Sequence, residues 1–202
     1  MSTDFTKDQL LDALDEIALA AIAAETHLDI VVFGGSALML ASNFRFSTED
    51  VDIAEIGGPW PSWLSDTVAR IGQRNGWLDN WFNEAVNTFL SSQAQRQRDL
   101  VVFGTFPRAA DKMGLRVFVP TARYMLALKL KALRVAKFDK GSKDIQDIRG
   151  LLGVLGIEDA EDALAVLKEY YPNSAADVEK ARFVLKHILA NESSIDAPRY
   201  PR

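Results

Sequence analysis

Between Asp29 and Ile53 the chain reads DIVVFGGSALMLASNFRFSTEDVDI, and few folds accommodate residues in that order. The apolar stretch from Asp29 to Phe33 predicts a strand, Gly34-Gly35-Ser36 a tight turn, and Ala37 to Leu40 the start of an apolar helix. After a connection containing Arg45, Ser47 and Thr48, a second strand carries Asp50-Val51-Asp52. Side chains alternate along a strand, so Asp50 and Asp52 are expected on one face. Two carboxylates on one rigid edge make a poor core. They suit a hard divalent cation, which takes oxygen ligands and often shares them with substrate phosphates. A Gly-Gly-Ser turn at a helix N-terminus offers backbone N–H groups and the Ser36 hydroxyl to those phosphates. Each piece also has a plain reading: a solvated strand end for the aspartates, and a strand-to-helix turn that needs glycine for its backbone angles.

The rest of the composition narrows the class. At 202 residues, 48% hydrophobic and 25% charged, the chain has room for one ordinary domain, or for one with a small helical appendage. No apolar run approaches the roughly 18 residues of a membrane span. The opening MSTDFTKDQLLDALDE is acidic and polar, unlike a presequence, so a cytoplasmic bacterial-type protein is expected. The absence of cysteine removes disulfides, thiolate zinc sites and cysteine nucleophiles. His27 and His187, one in a connection and one in a late helix, do not suggest a histidine-based site. A net charge of −5 argues against a dedicated nucleic-acid binder but leaves room for a local basic patch. Candidates are Arg96, Arg98, Arg108, Lys112, Arg116 and the basic run from Arg123 to Lys143, whose plain reading is a solvated helix face.

Along the chain, Thr6-Lys-Asp-Gln9 forms a capping-box start for a helix with an alanine-rich end. Gly57-Gly58-Pro59-Trp60-Pro61 breaks the chain before a helix from Ser62 to Asn75, and the four tryptophans between 60 and 81 are expected to pack that helix onto the sheet. Two more strands are legible, Leu100–Phe103 and Leu115–Val119. Helices are then expected over 121–137, 142–155, 159–170 and 175–189, ahead of a frayed tail. The expected plan is α/β (α+β): a small mixed sheet of four to five strands with flanking helices over 1–120, followed by a helical part over 121–202 that packs with it as one compact unit.

Two polar residues fall on apolar helix faces. With Tyr124 at zero and 3.6 residues per turn, apolar side chains fill an arc of about 240°; Lys129 lands inside it at about 140°, while Arg123, Lys131 and Arg134 fall outside. An inward lysine either snorkels at the rim or is held there for a partner. With Ser142 at zero as the expected N-cap, Asp144 falls at about 200° within the apolar face of the next helix, and Asp147 near its edge at about 140°. A first-turn aspartate favours the helix dipole, but its inward direction asks for a charge partner, and Lys129 is the obvious one.

The run of strand, Gly35-Ser36, spacer from Ala37 to Glu49 and Asp50-Val51-Asp52-Ile53 resembles the nucleotidyltransferase superfamily that shares its fold with polymerase β. Together with GGSALML, STEDVDI and VFVPTARYMLALKLKALR…KGSKDIQDIRGLL, it resembles the AbiEii-like nucleotidyltransferases, commonly toxins of bacterial toxin–antitoxin pairs, over Ile30 to Leu155. The resemblance implies a Mg²⁺- or Mn²⁺-dependent transfer of a nucleoside monophosphate from an NTP to a hydroxyl. It implies Gly34, Gly35, Ser36 and Arg45 as nucleotide-binding residues and Asp50 and Asp52 as metal ligands. Lys129 takes the family's essential lysine position, and Asp144 or Asp147 its late carboxylate. The implied acceptor is a tRNA 3′ end or another RNA, with a protein hydroxyl or small molecule as the alternative, and a cognate antitoxin is an implied partner. One departure stands out: no third carboxylate is evident on a later strand, where Arg116 and Phe118 lie, and Asp99 is the nearest substitute. That leaves a one-metal site, a role for Asp144, or a fold kept for binding alone.

Overall fold

Thr6 and Gln9 start the first helix by satisfying each other. In the computed structural model, which describes residues 4–55, 60–133, 143–190 and 197–201, the Thr6 N–H donates to Gln9 Oε1 at 2.9 Å and the Gln9 N–H to the Thr6 hydroxyl at 3.5 Å. Two otherwise orphaned helix donors are thereby capped. The elements run β1 (Phe5–Thr6), α1 (Lys7–Ala23), β2 (Leu28–Val32), α2 (Gly34–Ala41), β3 (Ser47–Thr48), β4 (Val51–Glu55), α3 (Ser62–Asn75) and β5 (Phe82–Asn83). They continue through α4 (Arg96–Asp99), β6 (Leu100–Phe106), β7 (Leu115–Pro120), α5 (Ala122–Ala132), α6 (Lys143–Leu155), α7 (Ala160–Tyr170) and α8 (Ala175–Leu189). The expected mixed α/β architecture is present, as a five-stranded sheet of order β5-β4-β2-β7-β6 with a small β1–β3 pair beside it.

The chain divides into two compact units. The first comprises Met1–Ala41, Phe46–Asn87 and Val101–Val119; the second comprises Ser42–Arg45, Thr88–Leu100 and Pro120–Arg202. The border near 120 lies where the helical part was expected to begin, but two earlier segments belong with the C-terminal helices. The expected N-cap Ser142, the breaker Gly57-Gly58-Pro59, residues 134–137 of the helix expected over 121–137 and most of the tail lie outside the described residues.

In the first unit β2 runs antiparallel to β4, with Val32 opposite Ile53, and parallel to β7, with Val31 opposite Phe118. Ile30, Val32, Ile53, Val117 and Val119 are fully buried, as are Leu10, Leu14, Ile17, Ala18 and Ala21 of α1. The alanines of α1 allow a close approach: any side chain at Gly114 would meet the Ala18 carbonyl. Of the four tryptophans, Trp77 and Trp81 are buried, while Trp60 and Trp63 are partly exposed. Trp81 is fully buried, donates its indole N–H to the Val68 carbonyl at 3.0 Å, and sits 4.7 Å from Trp77 and 5.2 Å from Phe82, centroid to centroid.

In the second unit α5 packs against α6, α7 and α8. The Ser42–Arg45 segment joins it through Phe44, whose ring lies so close to Gly150 of α6 that a Cβ there would fall 2.6 Å from it. Asn43 accepts from the Arg199 N–H at 2.7 Å and donates to the Ala197 carbonyl at 3.2 Å. A short connection in sequence thus becomes part of a helical core.

Candidate functional site

Gly34 takes φ +62°, a left-handed backbone conformation that a side chain would strain. The turn it makes brings α2 against β4, directly after Phe33, whose N–H donates to the Asp52 carbonyl at 2.8 Å. Strand alternation then decides where Asp52 points. Val51 and Ile53 are fully buried, while Asp52 and Ala54 are partly exposed on the other face. The Asp52 carboxylate comes to rest on the bare Cα of Gly34, so that a Cβ there would lie 2.5 Å from Oδ2. Turn and carboxylate form one local site.

The remaining members of this motif are less uniform. Asp50 falls one residue before β4, so strand alternation does not set its direction; the nearly buried Thr48 hydroxyl lies 3.5 Å from its Oδ1 and 3.3 Å from its carbonyl. Gly35 is partly exposed in the first turn of α2. Ser36 is 1% exposed and its hydroxyl donates to the Phe33 carbonyl at 2.8 Å. That proton is used inside the fold; the first-turn N–H groups of α2 have no preceding helical turn to bond. Among the described residues no three His, Cys, Asp or Glu side chains gather as a metal group. Asn83 is the residue β5 places opposite Asp52, a neighbour that only strand pairing reveals.

The second constellation lies in the second unit and brings together Arg45, Lys129, Asp144 and Asp147. The Lys129 ammonium is 2.8 Å from Asp144 Oδ1 and 2.7 Å from Asp147 Oδ2. Arg45 Nη1 reaches the same Asp147 carboxylate at 3.2 and 3.0 Å. The expected Lys129–Asp144 pair is therefore present, but the inward carboxylate is the other one: Asp147 is 1% exposed and Asp144 65%. The helical projection misplaces them because it discards position along the axis. Asp144 sits in the first turn, ahead of Ile145, where the buried stripe begins; Asp147 sits within it, level with Gly150, where Phe44 closes over the helix. Burial works against the Lys129 ammonium, yet the Asp147 and Asp144 carboxylates outweigh it and hold its pKa above the usual lysine value. Arg45, expected as a nucleotide ligand, is paired with Asp147 in this structure.

Lys131, expected outside the apolar arc, is partly exposed. It pairs with Asp177 at 2.6 Å, and Lys180 reaches the other oxygen of that carboxylate at 2.8 Å. The substitute third carboxylate, Asp99, is 1% exposed and spoken for. It accepts from the Gln95 N–H at 2.6 Å, the Tyr170 hydroxyl at 2.7 Å and two Arg98 donors at 2.9 Å. Burial pushes its pKa up, but the Arg98, Gln95 and Tyr170 donors overcome that and hold it below the usual carboxylate range. Asp99 is a structural acceptor. The candidate basic patch is likewise paired at several points: Arg108 with Asp12 and Asp15, Arg116 with Asp29, and Arg123 with Glu169. Comparison with known proteins finds no family model, no curated relative and no solved structure that matches this chain.

Proposed function

We propose that the chain is a nucleotidyltransferase, moving a nucleoside monophosphate from an NTP to a hydroxyl acceptor with release of pyrophosphate. The observation that supports this reading most directly is the Asp52 carboxylate lying on Gly34, which joins an anion-binding turn to a hard-oxygen ligand. In this chemistry the first-turn N–H groups at Gly34 and Gly35 hold phosphate oxygens. Asp50 and Asp52 are the residues that would hold Mg²⁺ or Mn²⁺, and their oxygens suit such an ion when substrate and water complete its shell. A bound ion supplies charge neutralisation at the transferring phosphate and lowers the pKa of the attacking hydroxyl. By the resemblance, Lys129 is the proposed cation for phosphate oxygens. The first acceptor to test is RNA, tRNA 3′ ends included, then a protein hydroxyl or small molecule; a cognate antitoxin is the proposed protein partner.

The test is incubation with each labelled NTP, Mg²⁺ and total RNA, followed by a search for label in RNA and in protein. Transfer by wild type but not by Asp52→Ala supports the reading; no transfer from any NTP removes it. A nucleotide-binding module without transfer is the second reading, favoured by the inward Ser36 hydroxyl and the committed Asp99. Mg²⁺-dependent nucleotide binding in a calorimeter, with no label transferred, would select it.

A further inference from the structure

Lys129 is held by two carboxylates of opposite character. Asp147 is 1% exposed, 2.7 Å from the ammonium, and also bound by Arg45. Asp144 is 65% exposed, 2.8 Å from the ammonium, and lies in the first turn of α6. Releasing Asp147 would leave a buried charge without one of its cations, a costly step. Parting Asp144 from Lys129 costs less, because its carboxylate is 65% exposed and exposed ion pairs are weak. A phosphate oxygen bears the same sign of charge as a carboxylate oxygen and takes the same distance from an ammonium, about 2.7–2.9 Å. Exchanging one for the other at Lys129 therefore preserves both charge balance and geometry.

We propose that Asp144 is a displaceable counter-ion, occupying on Lys129 the position that a phosphate oxygen of the ligand takes, while Asp147 stays in place and keeps the ammonium aimed. Asp144 then acts as a built-in competitor: it keeps the cation paired when no ligand is present and lowers affinity for isolated phosphate groups. The inference deepens the nucleotidyltransferase reading and rests on it for the identity of the ligand.

The test is calorimetric titration of the full chain with inorganic pyrophosphate in EDTA, so that no divalent ion contributes. Asp144→Asn should tighten binding about fivefold, the size expected for releasing one exposed ion pair. Glu158→Gln, which removes an exposed carboxylate elsewhere in the second unit, should leave affinity unchanged. Asp144→Asn/Lys129→Met should lose the gain. Because Lys129→Met also strips a partner from buried Asp147, a second readout uses wild-type protein: pyrophosphate should protect Lys129 from acylation, scored by mass spectrometry. Unchanged or weaker binding by Asp144→Asn, an equal gain in Glu158→Gln, a gain that survives loss of Lys129, or no protection of Lys129 would each overturn the proposal. A wild type that transfers no nucleotide while Asp144→Asn shows the gain would sink the transfer reading and leave this one standing. Transfer without the gain would do the reverse.

Discussion

The turn after β2 and the α5–α6 pair place their polar groups by different means. Around Gly34 the backbone does the positioning: a positive φ, one N–H donated across to the Asp52 carbonyl, and the two-residue alternation of β4. Around Lys129 the side chains do it, through ion pairs joining Arg45 to Asp147 across more than half the chain. A site held by backbone can lose a carboxylate and keep its fold. A site held by buried charges cannot lose one without disturbing its surroundings. Substitutions should therefore separate chemistry from stability in the first region and confound them in the second.

The widest separation is expected at Asp52. Asp52→Ala should lower transfer about 10³-fold or more, since the charge stabilisation a metal ligand supports is worth several kcal/mol, while the melting temperature stays near wild type. Equal losses of activity and melting temperature would make Asp52 a structural carboxylate and erase the contrast.

Asp147→Asn should do the opposite and lower stability by about 3–5 kcal/mol, because Lys129 and Arg45 would both lose the buried carboxylate they share. Asp144→Asn should cost less than about 1 kcal/mol. Denaturant melts of the two variants measure the gap directly, and similar costs would deny the difference in burial. For the same reason Lys129→Met should destabilise by stripping buried Asp147 of a cation, and Lys131→Met should destabilise by stripping Asp177 of a partner.

Gly34→Ala bridges the two kinds of site. Its left-handed backbone angle and the Asp52 oxygen 2.5 Å from any added Cβ predict a loss of about 1–3 kcal/mol, together with reduced transfer as the carboxylate is pushed aside. A variant with wild-type melting and wild-type transfer would show that the glycine is not needed for the site.

The smallest effect concerns pH. Asp99 has a folded pKa held below its unfolded value, so its contribution to stability is full above the ordinary carboxylate value of about 3.9 and is lost as pH falls through the folded pKa. Tyr170→Phe removes one of its donors, costing about 1–2 kcal/mol at neutral pH and flattening the fall in stability below about pH 4. A pH–stability curve parallel to that of wild type would remove the hydroxyl from this account.

What could be read from the chain alone was whatever short-range rules dictate. The Thr6–Gln9 cap, the strand–turn–helix at Gly34, α3, the C-terminal helices and the alternation that turns Asp52 away from Val51 and Ile53 all depend on neighbours within a few residues. So does the i, i+18 spacing of Lys129 and Asp147 only in part: facing helices could be inferred, but not which aspartate was covered, because that depended on where Phe44 lands on Gly150. The short strands β1, β3 and β5 were invisible because two residues carry no periodicity, and pairing alone makes them strands. Asn83 beside Asp52, Arg45 on Asp147 and Tyr170 on Asp99 are products of tertiary structure. Each unites residues far apart in sequence, and the energy that selects the partner exists only once packing has excluded water from the charge.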